Sequence, residues 1–213
     1  MKNKNKLYFL LIILSLLIVF FSVFKIINSD TFIYPGKNSE YKFTKEKVAD
    51  IRFYRPHIIF SGKEYIYAFR NKPQDLETLP MNGDFESILK RPQIERVFIT
   101  RDLNLSALTN EDVSIAIAPL DDILNTKKPT SIYNLQFDRE FTEFGEENTK
   151  NRIIDCDTAN HNIKKHLYLV IYMKLGDSDK VYNNGDCIII QGKDSKGLIK
   201  SSEKLAYYLL GIF

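Results

Sequence analysis

One cluster of residues has the types needed for acid–base chemistry: Asp155, Asp157, His161 and His166. In a hydrolase, one of these histidines would act as general base and a carboxylate would orient it. The spacing argues against that role. An i,i+5 histidine pair does not share a helix face as an i,i+4 pair does. Polar surface near a disulfide accounts for the same residues, and no metal or cofactor is expected there. His57 follows Pro56 and enters an apolar run. It reads as a hydrogen-bonded histidine at a strand edge.

The other constellations are incomplete. There is no G-x-S-x-G, no H-E-x-x-H, and no S-x-x-K with its partner motifs. The run from Gly192 to Gly197 begins like a phosphate loop, but Leu198 stands where that loop needs Lys. It reads as a turn after a strand. Asp177, Asp179, Asn183, Asn184 and Asp186 supply oxygens that suit calcium. Val181 and Tyr182 break the EF-hand pattern, so the loop reads as hairpin polarity. Asp121 and Asp122 would point apart in a strand, or bind backbone N–H groups in a turn. Asn104-Leu105-Ser106 matches the glycosylation sequon, which matters only in a eukaryotic secretory path.

Cys156 and Cys187 are the two cysteines of the chain. As a disulfide they fit an oxidising compartment. The bridge would close a loop of about 30 residues, worth roughly 3–4 kcal/mol on the chain-entropy model. The alternative is two buried free thiols. No C-x-x-C or paired His spacing accompanies them to suggest zinc.

The elements that must position these residues begin with an apolar segment. Residues 7–24 contain no charge, Pro or Gly, and continuing to Ile27 gives a length of about 31 Å as a helix. That matches the roughly 30 Å of hydrocarbon in a bilayer. A cleaved signal peptide is the alternative, but its apolar region is shorter and ends at a small-x-small site. Lys2, Lys4 and Lys6 precede the segment and only Lys25 closely follows it. The positive-inside bias then keeps 1–6 cytoplasmic, makes 7–27 a single-pass signal anchor, and exports the rest. A bacterial inner membrane, with the domain periplasmic or extracellular, is the expected location.

Of the 30 basic residues, four lie in 1–27, where there are no acids; the remainder holds 26 against 27 acids, a net of −1. The folded part therefore lacks the basic footprint of a nucleic-acid binder. Residues 28–40 read as a tether and 41–213 as one globular domain.

Within that domain the apolar residues mostly repeat every second position. Val113, Ile115 and Ile117 alternate with Ser114 and Ala116, which predicts a strand. Tyr133, Leu135 and Phe137, and Tyr65, Tyr67 and Phe69, do likewise. Residues 167–175 predict a central strand covered on both faces. Shorter strands are expected at 51–54, 57–60, 96–100 and 187–191. Ser61-Gly62, Asn82-Gly83, Asn184-Gly185 and Gly192 mark turns. Asp84 should cap a short helix, and Ser201 or Ser202 a C-terminal one.

The expected fold is mainly β: an antiparallel sandwich-like domain with one or two short helices after the transmembrane helix. A twisted sheet carrying two helices, an α+β arrangement, is the alternative. The expected function is binding without catalysis, through membrane lipid at 7–27 and a protein partner in the envelope. An immunity-like or secretion accessory role fits. A hydrolase built on Asp155, Asp157, His161 and His166, or a structural envelope component, is the alternative.

Overall fold

The computed structural model describes residues 15–17, 30–89, 94, 96–102, 105, 110–125, 127–133, 136–139, 156 and 168–213. The anchor assigned to 7–27 lies outside these residues, apart from 15–17. Among the described residues, no helix is long and apolar enough to cross a membrane.

The fold is mainly β, with an antiparallel sheet, a mixed sheet and few helices. The antiparallel sheet has the order β1-β2-β3-β4, from Thr31–Pro35, Glu40–Val48, Ile51–Phe60 and Lys63–Ile66. Its meander follows from its turns. Ala49 and Ser61 adopt φ of 53° and 50°, and Gly62 follows at 77°, the left-handed geometry of tight hairpins. β1 lies inside the segment that composition reads as a tether, and it pairs along its full length with β2. The two runs expected at 51–54 and 57–60 form one continuous strand, β3.

The second sheet departs from the expected antiparallel sandwich. β5 (Met81–Asn82), β6 (Arg96–Arg101), β7 (Gln136–Arg139), β8 (Tyr168–Leu175), β9 (Lys180–Asn184) and β10 (Cys187–Gly192) take the order β5-β9-β10-β8-β6-β7. Only β9–β10 is antiparallel; the other four pairings are parallel. The antiparallel pair is the hairpin at Asn184-Gly185, where Gly185 has φ 58°. β8 and β10 are apolar along almost their whole length, which is how a strand buried on both faces of a parallel sheet reads.

Among the described residues, α-helices accompany the sheets at α1 (Phe85–Leu89), α2 (Asn110–Leu124) and α3 (Ser195–Leu209). Asp84 caps α1, accepting from Ser87 N at 3.2 Å. The strand expected around 113–117 is in fact α2. Its buried residues are Val113, Ala116, Ile117, Leu120, Ile123 and Leu124, spaced as one face of a 3.6-residue helix. The alternation at 113–117 satisfied both periods over five residues, and the longer window decides for the helix. α3 likewise starts earlier than the serine caps implied. Asp194 is its N-cap, accepting from Gly197 N at 2.8 Å. Ser201 instead donates to Gln191 O (2.7 Å), and Ser202 to Ala116 O.

α3 packs against β10 and α2 and reaches the antiparallel sheet through Tyr207. That ring stacks on Phe69 at 4.0 Å and meets Phe43 edge-on, while its hydroxyl donates to Asn71 O at 2.8 Å. Glu203, on the same helix, is buried and accepts from Arg70 N, Asn71 N and Asn71 Nδ2. Burial pushes its carboxyl up to about 7, although these three donors pull the other way. One hydrophobic core spans both sheets and the helices between them.

Candidate functional site

The antiparallel sheet presents a face that the core does not use. Along β3 the buried residues are Tyr54, Pro56 and Ile58. Arg55, His57 and Ile59 must therefore point outward, because successive side chains alternate. The registers Thr44↔Arg55, His57↔Ile66 and Ile33↔Lys42 extend that outer face to β1, β2 and β4. Ile33, Val48, Ile51, Ile59 and Ile66 all fall on it and are exposed, Ile59 at 78 %. Apart from Leu16, Leu17 and Phe60, they are the large apolar side chains exposed among the described residues. The described side chains of the mixed sheet contribute none.

His57 ties this face together. Its Nδ1 lies 2.8 Å from Glu64 Oε1 and its Nε2 2.7 Å from Thr44 Oγ1. A carboxylate can only accept, so Nδ1 carries the proton toward Glu64. In the neutral ring Nε2 then accepts from the Thr44 hydroxyl. This is the bond order of an activated nucleophile, but Glu64 is more than half exposed. A solvated relay of this kind serves best as a tie across β2, β3 and β4. It also matches the hydrogen-bonded strand histidine expected from the sequence.

Beneath His57 the sheet forks. The β2–β3 register runs from Val48↔Ile51 to Phe43↔Pro56 and stops. β2 continues beside β1 to Glu40, and β3 continues beside β4 to Phe60. Pro56 sits at the parting. Its ring holds φ near −65°, far from the roughly −140° of antiparallel strands, and so turns the chain. Between the two lips lies a cavity of about 680 Å³. Its lips are Ser39, Glu40 and Tyr41 on one side and His57 to Phe60 on the other; Ile132, Tyr133, Leu209 and Leu210 also line it. Those last residues are held in place. Tyr133 OH donates to Leu209 O at 2.8 Å, and Tyr41 OH to Gly211 O at 2.9 Å. Burial pushes the Tyr133 hydroxyl up to about 12, so it stays a donor.

Apart from His57, the described residues that the sequence singles out for chemistry do not line this cavity. Cys156 and Cys187 lie at disulfide distance, with Sγ–Sγ 2.14 Å and Cα–Cα 5.2 Å. Cys187 is fully buried beside Val170 and Ile189. Asp155, Asp157, His161 and His166 lie outside the described residues. In the candidate calcium loop, Asp177 Oδ1 accepts from Gln191 Nε2 at 3.0 Å and Ser178 Oγ at 2.9 Å. Asp179 accepts from Lys193 N at 2.8 Å, so these oxygens serve the turn. Hydrogen bonds from Ser178 and the cation of Lys180 hold the Asp177 carboxyl below its ordinary range. Asp121 and Asp122 sit on α2, where both approach Lys128. Gly192 allows the close return of α3: a Cβ there would lie 2.2 Å from Leu198 N. Among the described residues, no three His, Cys, Asp or Glu side chains gather as a metal site.

No known protein-family model matches this chain, and neither a curated protein nor a solved structure does.

Proposed function

We propose that this chain is a membrane-anchored extracytoplasmic binding protein without catalysis of its own, and that a protein partner docks on the outer face of β1–β4. The observation that carries the reading is the gathering of exposed Ile33, Val48, Ile51, Ile59 and Ile66 on one sheet face. Scattered apolar residues are ordinary on a surface, whereas their concentration marks an interaction site. Residues 7–27 are the anchor, with 1–6 cytoplasmic and the folded domain beyond a bacterial inner membrane. The Cys156–Cys187 pair suits that oxidising side. An immunity-like protein or a secretion accessory would use such a surface.

Crosslinking in intact membranes tests this reading. The wild type should capture an envelope protein, and an Ile33→Asp/Ile66→Asp double variant that folds normally should lose it. Equal capture by both chains would remove the docking face. Activity abolished by His161→Ala and His166→Ala would favour the hydrolase reading instead.

A further inference from the structure

We infer that the fork between β2 and β3 receives an extended peptide segment of a protein partner by main-chain strand addition. This rests on the binding reading above and supplies its mode of recognition.

Main-chain direction gives the first argument. Tyr54 N donates to Phe69 O at 2.8 Å and Phe69 N to Tyr54 O at 3.0 Å, so the amide groups of Tyr54 face the β4 side. These groups alternate sides along a strand. Ile58 and Phe60 therefore face β4, while His57 and Ile59 face the fork. On β2, Ser39 O accepts from Gly36 N across the β1–β2 turn, at 2.9 Å. Glu40 and Lys42 then face the fork from the opposite lip. Because the register ends at Phe43↔Pro56, these facing edges have no strand between them among the described residues. N–H and C=O groups on an open strand edge are the chemistry that binds an extended peptide.

The second argument is contrast with the sheet's outer edges. β1 ends in Pro35, and β4 is four residues long and carries Lys63 and Glu64. Proline, shortness and charge are the usual means of blocking strand addition. The lip Ile58-Ile59-Phe60 carries none of them. It also runs directly into Ile59 on the proposed docking face.

Size and lining complete the case. The four residues 57–60 offer an edge of about 13 Å. A cavity of about 680 Å³ lies within the range of built ligand sites. Ile132, Tyr133, Leu209 and Leu210 would take apolar side chains from alternate positions of the peptide. The segment recognised is thus extended, lacks Pro at its pairing positions and is apolar at every second residue.

The probe is a phage library of random twelve-residue linear peptides, selected on the full chain in detergent. The best peptide is then measured by fluorescence anisotropy. Ile59→Pro deletes one fork-facing N–H that pairs with no strand among the described residues, and it should weaken the peptide at least tenfold with the melting temperature little changed. Ser39→Trp, on the opposite lip, fills the opening and should do the same if Ile59→Pro folds poorly. Lys196→Ala, on an exposed position of α3 away from the fork, should leave peptide affinity alone. No enriched peptide, or peptides indifferent to both lip variants, would overturn the inference. So would self-association of the wild type that the lip variants abolish, which would assign the fork to a second copy. Membrane capture lost in Ile33→Asp/Ile66→Asp but kept in Ser39→Trp would leave the docking face standing and remove the fork alone.

Discussion

The two sheets solve opposite problems. The mixed sheet buries aliphatic side chains on both faces, with Ile188, Ile189 and Ile190 of β10 all inside. The antiparallel sheet buries one face only, and it does so mostly with rings: Tyr34, Phe43 and Tyr54. Its other face mixes Ile33, Ile59 and Ile66 with Lys42, Arg55 and Glu64. A strand hidden on both sides has little surface left to offer a partner. The sheet with a spare face, tied by His57 and forked at Pro56, is where recognition can be built.

Placing the same substitution in each sheet tests that contrast. Ile190→Asp sets an unpaired carboxylate in the mixed sheet and should cost roughly 4 kcal/mol or more, read as loss of cooperative urea unfolding. A folded Ile190→Asp chain of near-native stability would mean the two sheets are not so different.

An intermediate effect tests the link between the sheets. Glu203 holds Arg70 and Asn71 against α3, and its folded pKa of about 7 lies above the ordinary 4.5. The fold therefore favours the protonated form. Its contribution is full below about pH 4.5 and is lost as pH rises through 7, by about 3 kcal/mol in all. Glu203→Gln should flatten this part of the stability–pH curve. An unchanged curve would place the dependence on another group.

The smallest effect belongs to the open face. Ile59→Asp should change stability by no more than about 0.5 kcal/mol in the same urea titration. A larger loss would show that Ile59 is part of the packing after all.

What the sequence revealed follows the same division. Alternation and turn residues exposed β3, β4, β6, β8 and β10, whereas β9 was hidden in a polar run that reads as loop, and only its closing Asn184-Gly185 turn was legible. The parallel pairing of β6 with β7 and β8 was hidden, since it joins strands far apart in the chain. The apolar run of β8 did point to burial on both faces. At 113–117, helix and strand periods coincide over too few residues to separate. Part of the candidate site could be read in advance: His57 beside Pro56 was visible as a strand-edge histidine. The fork was not, because it depends on where one register ends and another continues. Nor was the exposure of Ile59, which sits in an apolar run like any core residue.

Tyr207 couples Phe43 and Phe69 to the rest of the core from a helix that follows them far later in the chain. During synthesis, the strands that need this ring leave the ribosome long before it does. Until α3 emerges, the aromatic side of the first sheet lacks the ring that Phe43 and Phe69 pack against. A product that stops before α3 would be sticky rather than merely weakened.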